Sequence, residues 1–289
     1  MSTTVVAYPL VSALVESEKI LGPDRQWKSV NDTQARFLKE FFAESRREKL
    51  PEIESCVSWD AAEVSAFMAQ RGFPLEIPPF PPQTFGAAGV LDLLVEWFEK
   101  GEVDTIKTGL IRRREFPAVQ IWADHVVFFR APGHKNPLAC VKTKSGDEVY
   151  MTMLADPPAG FDLVANAQEL SRNKRHTDEF SGLIFPMVDL DHLVDVDWLA
   201  GMETTEIHGQ PSWIAKAYQR TRLRMNEFGA RAESAAFEVL EGAAGSITVK
   251  PPHVIDRPFL IWFERQGLAK PLFVGHITED DWRNPGTLA

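Results

Sequence analysis

The chain has 289 residues, 44% of them hydrophobic and 25% charged, a composition typical of a globular protein with a large core. Its net charge of −10 disfavours nucleic-acid partners, which require clustered Lys and Arg. It has no apolar stretch long enough to span a bilayer, and Met1 to Pro9 lacks the basic start and apolar run of a secretory signal. We therefore expect a cytoplasmic monomer with neither nucleic-acid nor membrane partners, and leave secretion open if a precursor begins upstream of Met1.

The first third of the chain is predicted to be helical. Apolar spacing and capping signals predict helices over residues 9–21, 33–46, 59–70 and 87–100. Asn31 or Asp32 caps the second of these helices. The fourth has the clearest pattern, with apolar residues spaced i, i+3, i+4 and i+7 from Leu91 and with Gly101 as its C-cap. Residues 73–84 contain five prolines and are predicted to be an irregular connection.

From residue 118 onward the pattern changes to strands. A nearly continuous apolar run predicts one strand, buried on both faces, over 118–129. Further strands are predicted over 138–143, 147–154, 183–188, 212–225, 255–264 and 271–277. The last two are expected to pair antiparallel around a turn at Gln266-Gly267, and short helices are predicted over 162–170 and 191–200. Helices early in the chain and strands late in it indicate an α+β protein.

No motif of a known catalytic site occurs in the sequence. It contains no nucleophile elbow, phosphate loop, dinucleotide fingerprint or zinc-binding histidine pair. The two cysteines, Cys56 and Cys140, are predicted to be reduced and buried, with a disulfide between them as the alternative. We therefore expect a protein that is not an enzyme and that holds no cofactor.

Two charged patterns leave alternatives open. The first is an acidic cluster around His192, formed by Asp189, Asp191, Asp195 and Asp197. It could bind a hard cation or serve an unrecognised enzyme, but we favour the solvated face of a short helix and expect no metal. The second is the alternation of Arg220, Arg222 and Arg224, which share one face of the predicted strand. These arginines either bind an anion or face solvent, and we favour the solvent-facing interpretation.

Three motifs in the C-terminal third are specific. Residues 256–263 (DRPFLIWF) and 272–275 (LFVG) are similar to the paired core strands that close the sequences of serpins. Residues 226–229 (NEFG) are similar to the hinge of that family, and small residues follow them as they do in serpins. Fainter similarities keep the same order along the chain at 5–14, 94–106, 121–129 and 185–202. The preserved order indicates a divergent, shortened member of the serpin family.

The resemblance implies a single serpin-like α+β domain over residues 1–289. In that fold, N-terminal helices pack on a large central mixed sheet, a second antiparallel sheet lies in the C-terminal part, and a reactive-centre loop is exposed. We expect a mainly helical part over 1–110, a mainly β part over 111–289 and the exposed loop over 229–254.

The resemblance also assigns a hinge and a scissile bond. The hinge residues are Glu227, Gly229, Ala230, Ala232, Ser234 and Ala236. From Ala230 to Ala236, every second residue is small, so these side chains would impose little steric barrier to insertion into a sheet. Glu238, the next residue of this set, fits poorly unless it lies at the solvated end of the strand. Family spacing puts the scissile bond between Ala243 and Ala244, although Gly242 or Ala244 could also precede it. A small residue there resembles bait for an elastase-like or subtilisin-like serine protease.

The resulting prediction is a serpin-type inhibitor that acts as a suicide substrate, with a serine protease as its partner. Several departures from the family motivate a second hypothesis, a non-inhibitory serpin-fold binding or structural protein. The polar cluster of the family is altered, because Asp124 and Gln219 stand at its Asn and His positions. A tryptophan expected just after the 121–129 strand is missing, and Arg231 occupies a hinge position that is usually acidic.

Overall fold

The computed structural model describes residues 1–22, 26–91, 95–109, 114–194, 196–204, 212–230 and 250–288, without the side chains of residues 192, 193 and 230. Its helices are α1 Tyr8–Glu16, α2 Glu18–Leu21, α3 Asp32–Phe37, α4 Ala43–Ser45, α5 Ala61–Gln70 and α6 Phe161–Arg172. A π-helical turn over Leu38–Phe42 joins α3 to α4.

The strands are β1 Thr3–Val5, β2 Trp27–Lys28, β3 Ile53–Ser58, β4 Thr84–Leu91, β5 Val95–Glu96, β6 Glu102–Thr108, β7 Arg114–Trp122, β8 Val126–Arg130, β9 Leu138–Lys142 and β10 Glu148–Met153. They continue with β11 Arg175–Thr177, β12 Gly182–Pro186, β13 Val188–Val194, β14 Glu203–Thr204, β15 Trp213–Met225, β16 Gly229–Ala230, β17 His253–Val254, β18 Phe259–Glu264 and β19 Phe273–Ile277.

The first three predicted helices are confirmed, and their caps explain where they begin. The Asn31 side chain accepts a hydrogen bond from the Gln34 amide at 2.9 Å, and the Asp60 side chain accepts one from the Ala62 amide at 2.9 Å. Gly72, with φ of +77°, follows the end of α5. Sequence signals at helix termini therefore located these elements correctly.

An antiparallel sheet of seven strands, in the order β1-β19-β18-β10-β9-β8-β11, forms the larger part of the core. Tyr150 and Trp262 stack on it with their ring centroids 5.0 Å apart, and both are almost fully buried. The Trp262 indole donates a hydrogen bond to Ser171 Oγ of α6 at 3.0 Å, which ties that helix to the sheet. The strands predicted over 138–154 and 255–277 are confirmed, with their turns at Gly146 and Gly267.

The central sheet is mixed and has six strands. Its order is β2-β14-β15-β4-β3, and β13 runs antiparallel along the second half of the long strand β15. A further sheet of four strands has the order β17-β12-β7-β6. Helix α5 packs on β3 and β4 through Val64 and Met68, while α1 packs against the same two strands. The predicted α+β class, with helices on a large mixed sheet, is confirmed.

The helix predicted over 87–100 is wrong, because this part of the chain forms β4 and β5. The run Gly-Ala-Ala-Gly at 86–89 lies between two packed layers, and its small residues permit very close approach. A Cβ atom at Gly86 would lie 2.2 Å from the Phe80 ring, and one at Gly89 would lie 2.5 Å from the Pro9 carbonyl oxygen. Packing on both faces therefore overrides the helical spacing. The helical part of the chain ends at Gln70 instead of extending to residue 110.

Two further predictions need correction. The apolar run at 118–129 is two strands in different sheets, because the exposed turn Ala123–His125 separates β7 from β8. The short helix predicted over 191–200 is mostly strand β13, with a single 3-10 turn at Asp197–Leu199. The segment is a strand because all of β13 pairs with β15, with Val188 and Leu190 buried in the core and Asp189 and Asp191 opposite arginines of β15.

Candidate functional site

The central sheet forks between β4 and β15. These two strands pair in parallel from Thr84 to Ala88 of β4 and then diverge. Strand β4 stays paired with β3 up to Leu91, and β15 stays paired with β13 up to Met225. Within the described part of the chain, no strand pairs with the two edges that face each other across the fork. The fork therefore leaves two strand edges with backbone groups available for a further strand.

The fork holds a cleft of about 420 Å³. Its floor reaches through the sheet to Phe263 and Phe273, which belong to the seven-stranded sheet and are almost fully buried. Gln219, on the β15 wall, is also buried and donates its side-chain amide to the Val6 carbonyl at 2.6 Å. The cleft is therefore an opening in the sheet itself and not a groove on its surface.

Four arginines, Arg71, Arg220, Arg222 and Arg224, line the outer part of the cleft. Arg220 Nε lies 2.7 Å from Asp191 Oδ1, and Arg222 Nη2 lies 2.9 Å from Asp191 Oδ2. Burial of the Asp191 carboxyl works against ionisation, but the hydrogen bonds from Arg220 and Arg222 prevail and hold its pKa below the usual value. Arg220 and Arg222 also lie over the Phe73 ring, at 5.4 and 4.9 Å from its centroid.

These contacts bear on the alternatives that the sequence left open for the three arginines of β15 and for the acidic cluster. The arginines do not simply face solvent, because their partners are Asp189 and Asp191 on the neighbouring strand β13. The aspartates in turn do not form a solvated helix face. No group of His, Cys, Asp and Glu that could hold a metal is present among the described residues, which do not include Asp195.

The hinge is a tight turn at the open end of the fork. Asn226 and Gly229 exchange backbone hydrogen bonds, with N–O distances of 2.9 and 3.3 Å. The next residues form β16, which pairs antiparallel with β5 at Gly229 opposite Glu96. This pairing connects the segment that follows β15 to β5, the next strand after β4 along the chain.

The hinge turn is held by several contacts from β5 and the residues after it. The Glu227 carbonyl accepts a hydrogen bond from the Gly101 amide at 2.7 Å. A Cβ atom at Gly229, whose φ is +153°, would lie 2.4 Å from the Val95 carbonyl oxygen, so glycine alone fits the close approach. The turn is thereby fixed in one position relative to the fork.

Trp97 is a site residue that the sequence comparison missed. Its indole donates to the Asn226 carbonyl at 2.9 Å, and its ring packs edge-on against Phe185 at 5.9 Å. The sequence prediction places the expected tryptophan just after the 121–129 strand, where none occurs. In the structure β4 pairs with β15, and the first tryptophan after β4 is Trp97. The signal available in the sequence was a lone tryptophan a few residues beyond an Ala- and Gly-rich apolar run.

The other expected site residues have mixed outcomes. Glu227 and Gly229 lie in the hinge turn, and Ala230 follows them in β16. The remaining hinge and bait positions, Ala232, Ser234, Ala236, Ala243 and Ala244, lie outside the described residues. Asp124 and Gln219 are not part of one cluster, because Asp124 lies in the exposed turn between β7 and β8 while Gln219 is buried in the central sheet.

The cysteines and the helices give two simpler results. Cys56 and Cys140 are free thiols, as expected, and burial raises the pKa of Cys140 to about 12. Among the described residues, no helix has the length and apolar character needed to cross a membrane.

Comparison with known proteins identifies the architecture. No protein-family model matches the sequence, and no curated protein matches it. Human thyroxine-binding globulin, complexed with thyroxine, has a TM-score of 0.59 at 11% identity, covering 96% of this chain and 91% of its own. A serpin of the trematode Schistosoma haematobium has a TM-score of 0.59 at 11% identity, with 96% and 93% coverage. The thermophilic serpin tengpin, in its native state, has a TM-score of 0.55 at 11% identity, with 96% and 88% coverage. The chain therefore has the serpin fold.

Proposed function

We propose that this protein is a serine protease inhibitor that acts as a suicide substrate and supplies no catalytic group of its own. The observation that carries the proposal is the fork between β4 and β15, with β16 starting a strand at its open end. Two parallel strands that diverge leave room for one antiparallel strand between them. The segment that follows β16 in sequence is the one predicted to contain the scissile bond.

The mechanism follows from this geometry. The serine of the protease attacks the bond after Ala243 and forms an acyl-enzyme. Cleavage releases the chain that begins at β16, which then pairs with the free edges of β4 and β15. Each new backbone hydrogen bond stabilises the inserted state by about 1 kcal/mol. Insertion over the length of the cleft moves the attached protease away before water hydrolyses the acyl bond.

The proposed partner is an elastase-like or subtilisin-like serine protease. The residues around the proposed bond are small, and no Lys or Arg lies between Arg231 and Lys250. A protease that requires a basic residue before the scissile bond therefore has no site in this segment.

The test is incubation with pancreatic elastase and with subtilisin, followed by a denaturing gel and an active-site titration. We expect a covalent complex of protein and protease, and a stoichiometric loss of protease activity. Cleavage near Ala243 with full protease turnover and no complex contradicts the inhibitory mechanism.

A matched pair of hinge variants sharpens the test. In an inserted strand, Ala232 and Ala235 lie on opposite faces because side chains alternate. Ala232 belongs to the set that would face the core, so Ala232→Glu buries a carboxylate and is expected to convert the inhibitor into a substrate. Ala235→Glu keeps its carboxylate on the outer face and is expected to preserve inhibition. Equal behaviour of the two variants argues against strand insertion.

One observation favours the second hypothesis, a non-inhibitory protein that uses the serpin fold for binding. The proline-rich connection 73–83 begins at the fork, where Phe73 lies beside Arg220 and Arg222, and continues over the paired part of β4, where Phe80 packs against Gly86. An inserted strand has to displace or pass beneath these contacts. Cleavage of the loop without complex formation and without a gain in thermal stability supports this second hypothesis.

A further inference from the structure

The cleft in the fork combines an apolar floor with a basic rim. At about 420 Å³, it lies within the range of pockets that bind small organic molecules. Its deep side chains are Val6, Val90, Leu223, Phe263 and Phe273, and all of them are buried. This floor excludes a purely polar ligand, because a hydrophilic molecule would lose its hydration there without compensation.

The rim carries more positive than negative charge. The side chains of Arg71, Arg220, Arg222 and Arg224 are 23 to 33% exposed. Among the described lining residues, Glu54 is the one carboxylate, and it forms an ion pair with Arg71. Behind the rim, the Asp191 carboxylate forms ion pairs with both Arg220 and Arg222. This concentration of guanidinium groups is unusual in a chain whose net charge is −10.

Two of the rim arginines also have donors that make no hydrogen bond. The Nε atoms of Arg71 and Arg224 are buried and have no hydrogen-bond acceptor within the described chain. Asp189 Oδ1 lies 3.6 Å from Arg224 Nε, a distance at which the charges attract but no hydrogen bond forms. A buried donor of this kind is costly to leave unmatched.

We propose that the cleft binds an amphipathic anion, with a carboxylate, sulfonate or similar head group at the arginine rim and an apolar body against Phe263 and Phe273. The proposal concerns the uncleaved protein and does not depend on loop insertion. A peptide strand fits the geometry of the fork but offers neutral backbone groups to its edges, and these add no negative charge to attract the guanidinium groups of the rim. A head group with two acidic oxygens matches the planar donor pattern of arginine.

The test uses three ten-carbon probes that differ in charge. Decanoate, decanol and decylammonium are titrated into the uncleaved protein by isothermal calorimetry below their micellar concentrations. We expect one decanoate to bind per chain, about tenfold more tightly than decanol, because charge-assisted hydrogen bonds are made only by the anion. Decylammonium is expected not to bind. Equal affinities for the three probes, or no binding of decanoate, overturn the proposal.

Variants that change the affinity for decanoate in opposite directions locate the binding site. Arg220→Gln combined with Arg222→Gln is expected to weaken decanoate binding about tenfold and to leave decanol unchanged. Asp191→Asn releases both arginines from their shared carboxylate and is expected to strengthen decanoate binding while leaving the stoichiometry at one per chain. Val90→Phe fills the floor and is expected to weaken decanoate and decanol alike.

Arg257→Gln is the matched control, since Arg257 is an exposed arginine paired with Asp256 at 3.2 Å and lies outside the cleft. Decanoate affinity is expected to be unchanged in it. Decanoate binding that survives the double arginine substitution, or that weakens in Asp191→Asn, places the ligand elsewhere and overturns the proposal.

Discussion

The seven-stranded sheet and the central sheet differ in how completely they are paired and filled. In the first, successive antiparallel ladders run without a gap from β1 to β11, and Trp262 and Tyr150 stack within its packing. In the second, β4 and β15 share five residues of β4 and then separate around an arginine-lined cleft. The same chain therefore holds one sheet that is paired and packed throughout its described strands and another that opens around a cleft.

The largest expected effect comes from the filled sheet. Trp262→Ala removes a fully buried indole and its hydrogen bond to Ser171, and is expected to lower the free energy of unfolding by about 4 kcal/mol. Leu91→Ala, at the half-buried edge of the fork, is expected to lower it by about 1 kcal/mol. Urea denaturation measures both. Similar losses for the two variants contradict the contrast between the sheets.

The next effect depends on pH. His253 is buried against Phe128 and Phe180, with ring centroids at 6.2 and 5.0 Å, and burial lowers its pKa to about 4. The unfolded chain therefore binds this proton first as the pH falls. The contribution of neutral His253 to the free energy of unfolding is therefore fully present above the unfolded pKa of about 6.5. It is lost as the pH falls toward 4, and the loss amounts to at most about 3 kcal/mol.

His253→Phe tests that account, because phenylalanine keeps the ring contacts and has no titrating group. We expect its free energy of unfolding to depend less on pH between 6.5 and 4 than that of the unmodified protein. Denaturation curves measured at several pH values in this window provide the comparison, and parallel pH profiles contradict it.

A smaller effect is expected at the hinge. Gly229→Ala forces a methyl group toward the Val95 carbonyl and is expected to cost about 2 kcal/mol. Gly146→Ala is the control, because Gly146 also has positive φ, at +83°, but its added Cβ meets nothing within 4 Å. The control is expected to cost about 1 kcal/mol. Hydrogen exchange at the Trp97 and Gly101 amides should rise in Gly229→Ala and stay unchanged in Gly146→Ala.

The contrast between the sheets also explains which parts of the fold the sequence could predict. Strands such as β9, β10, β18 and β19 were predicted because each is a local apolar run with a turn beside it. Strand β4 was not predicted because the apolar residues from Leu91 to Phe98 fit a helical period, and because the small residues of β4 act through contacts with Pro9 and Phe80 from other segments. Local sequence does not contain that information.

In the candidate site, too, features with a local sequence pattern could be predicted and features that depend on distant segments could not. The resemblance to a known family pointed to the segment that holds the turn at Glu227 and Gly229, and the hinge role of that turn stays a prediction. The fork was not predicted, because it depends on where a pairing between residues some 130 positions apart stops. The pairing of arginines with Asp189 and Asp191 could have been found, since both sets repeat every second residue as opposed strand faces do.

Thermal unfolding before and after cleavage within residues 231–249 tests the central claim most directly, that the fork accepts the loop as a strand. About ten new backbone hydrogen bonds are expected to raise the melting temperature by about 20 °C or more in the cleaved protein. Cleaved Ala232→Glu is expected to show no such rise. An unchanged or lower melting temperature after cleavage of the unmodified protein contradicts the account.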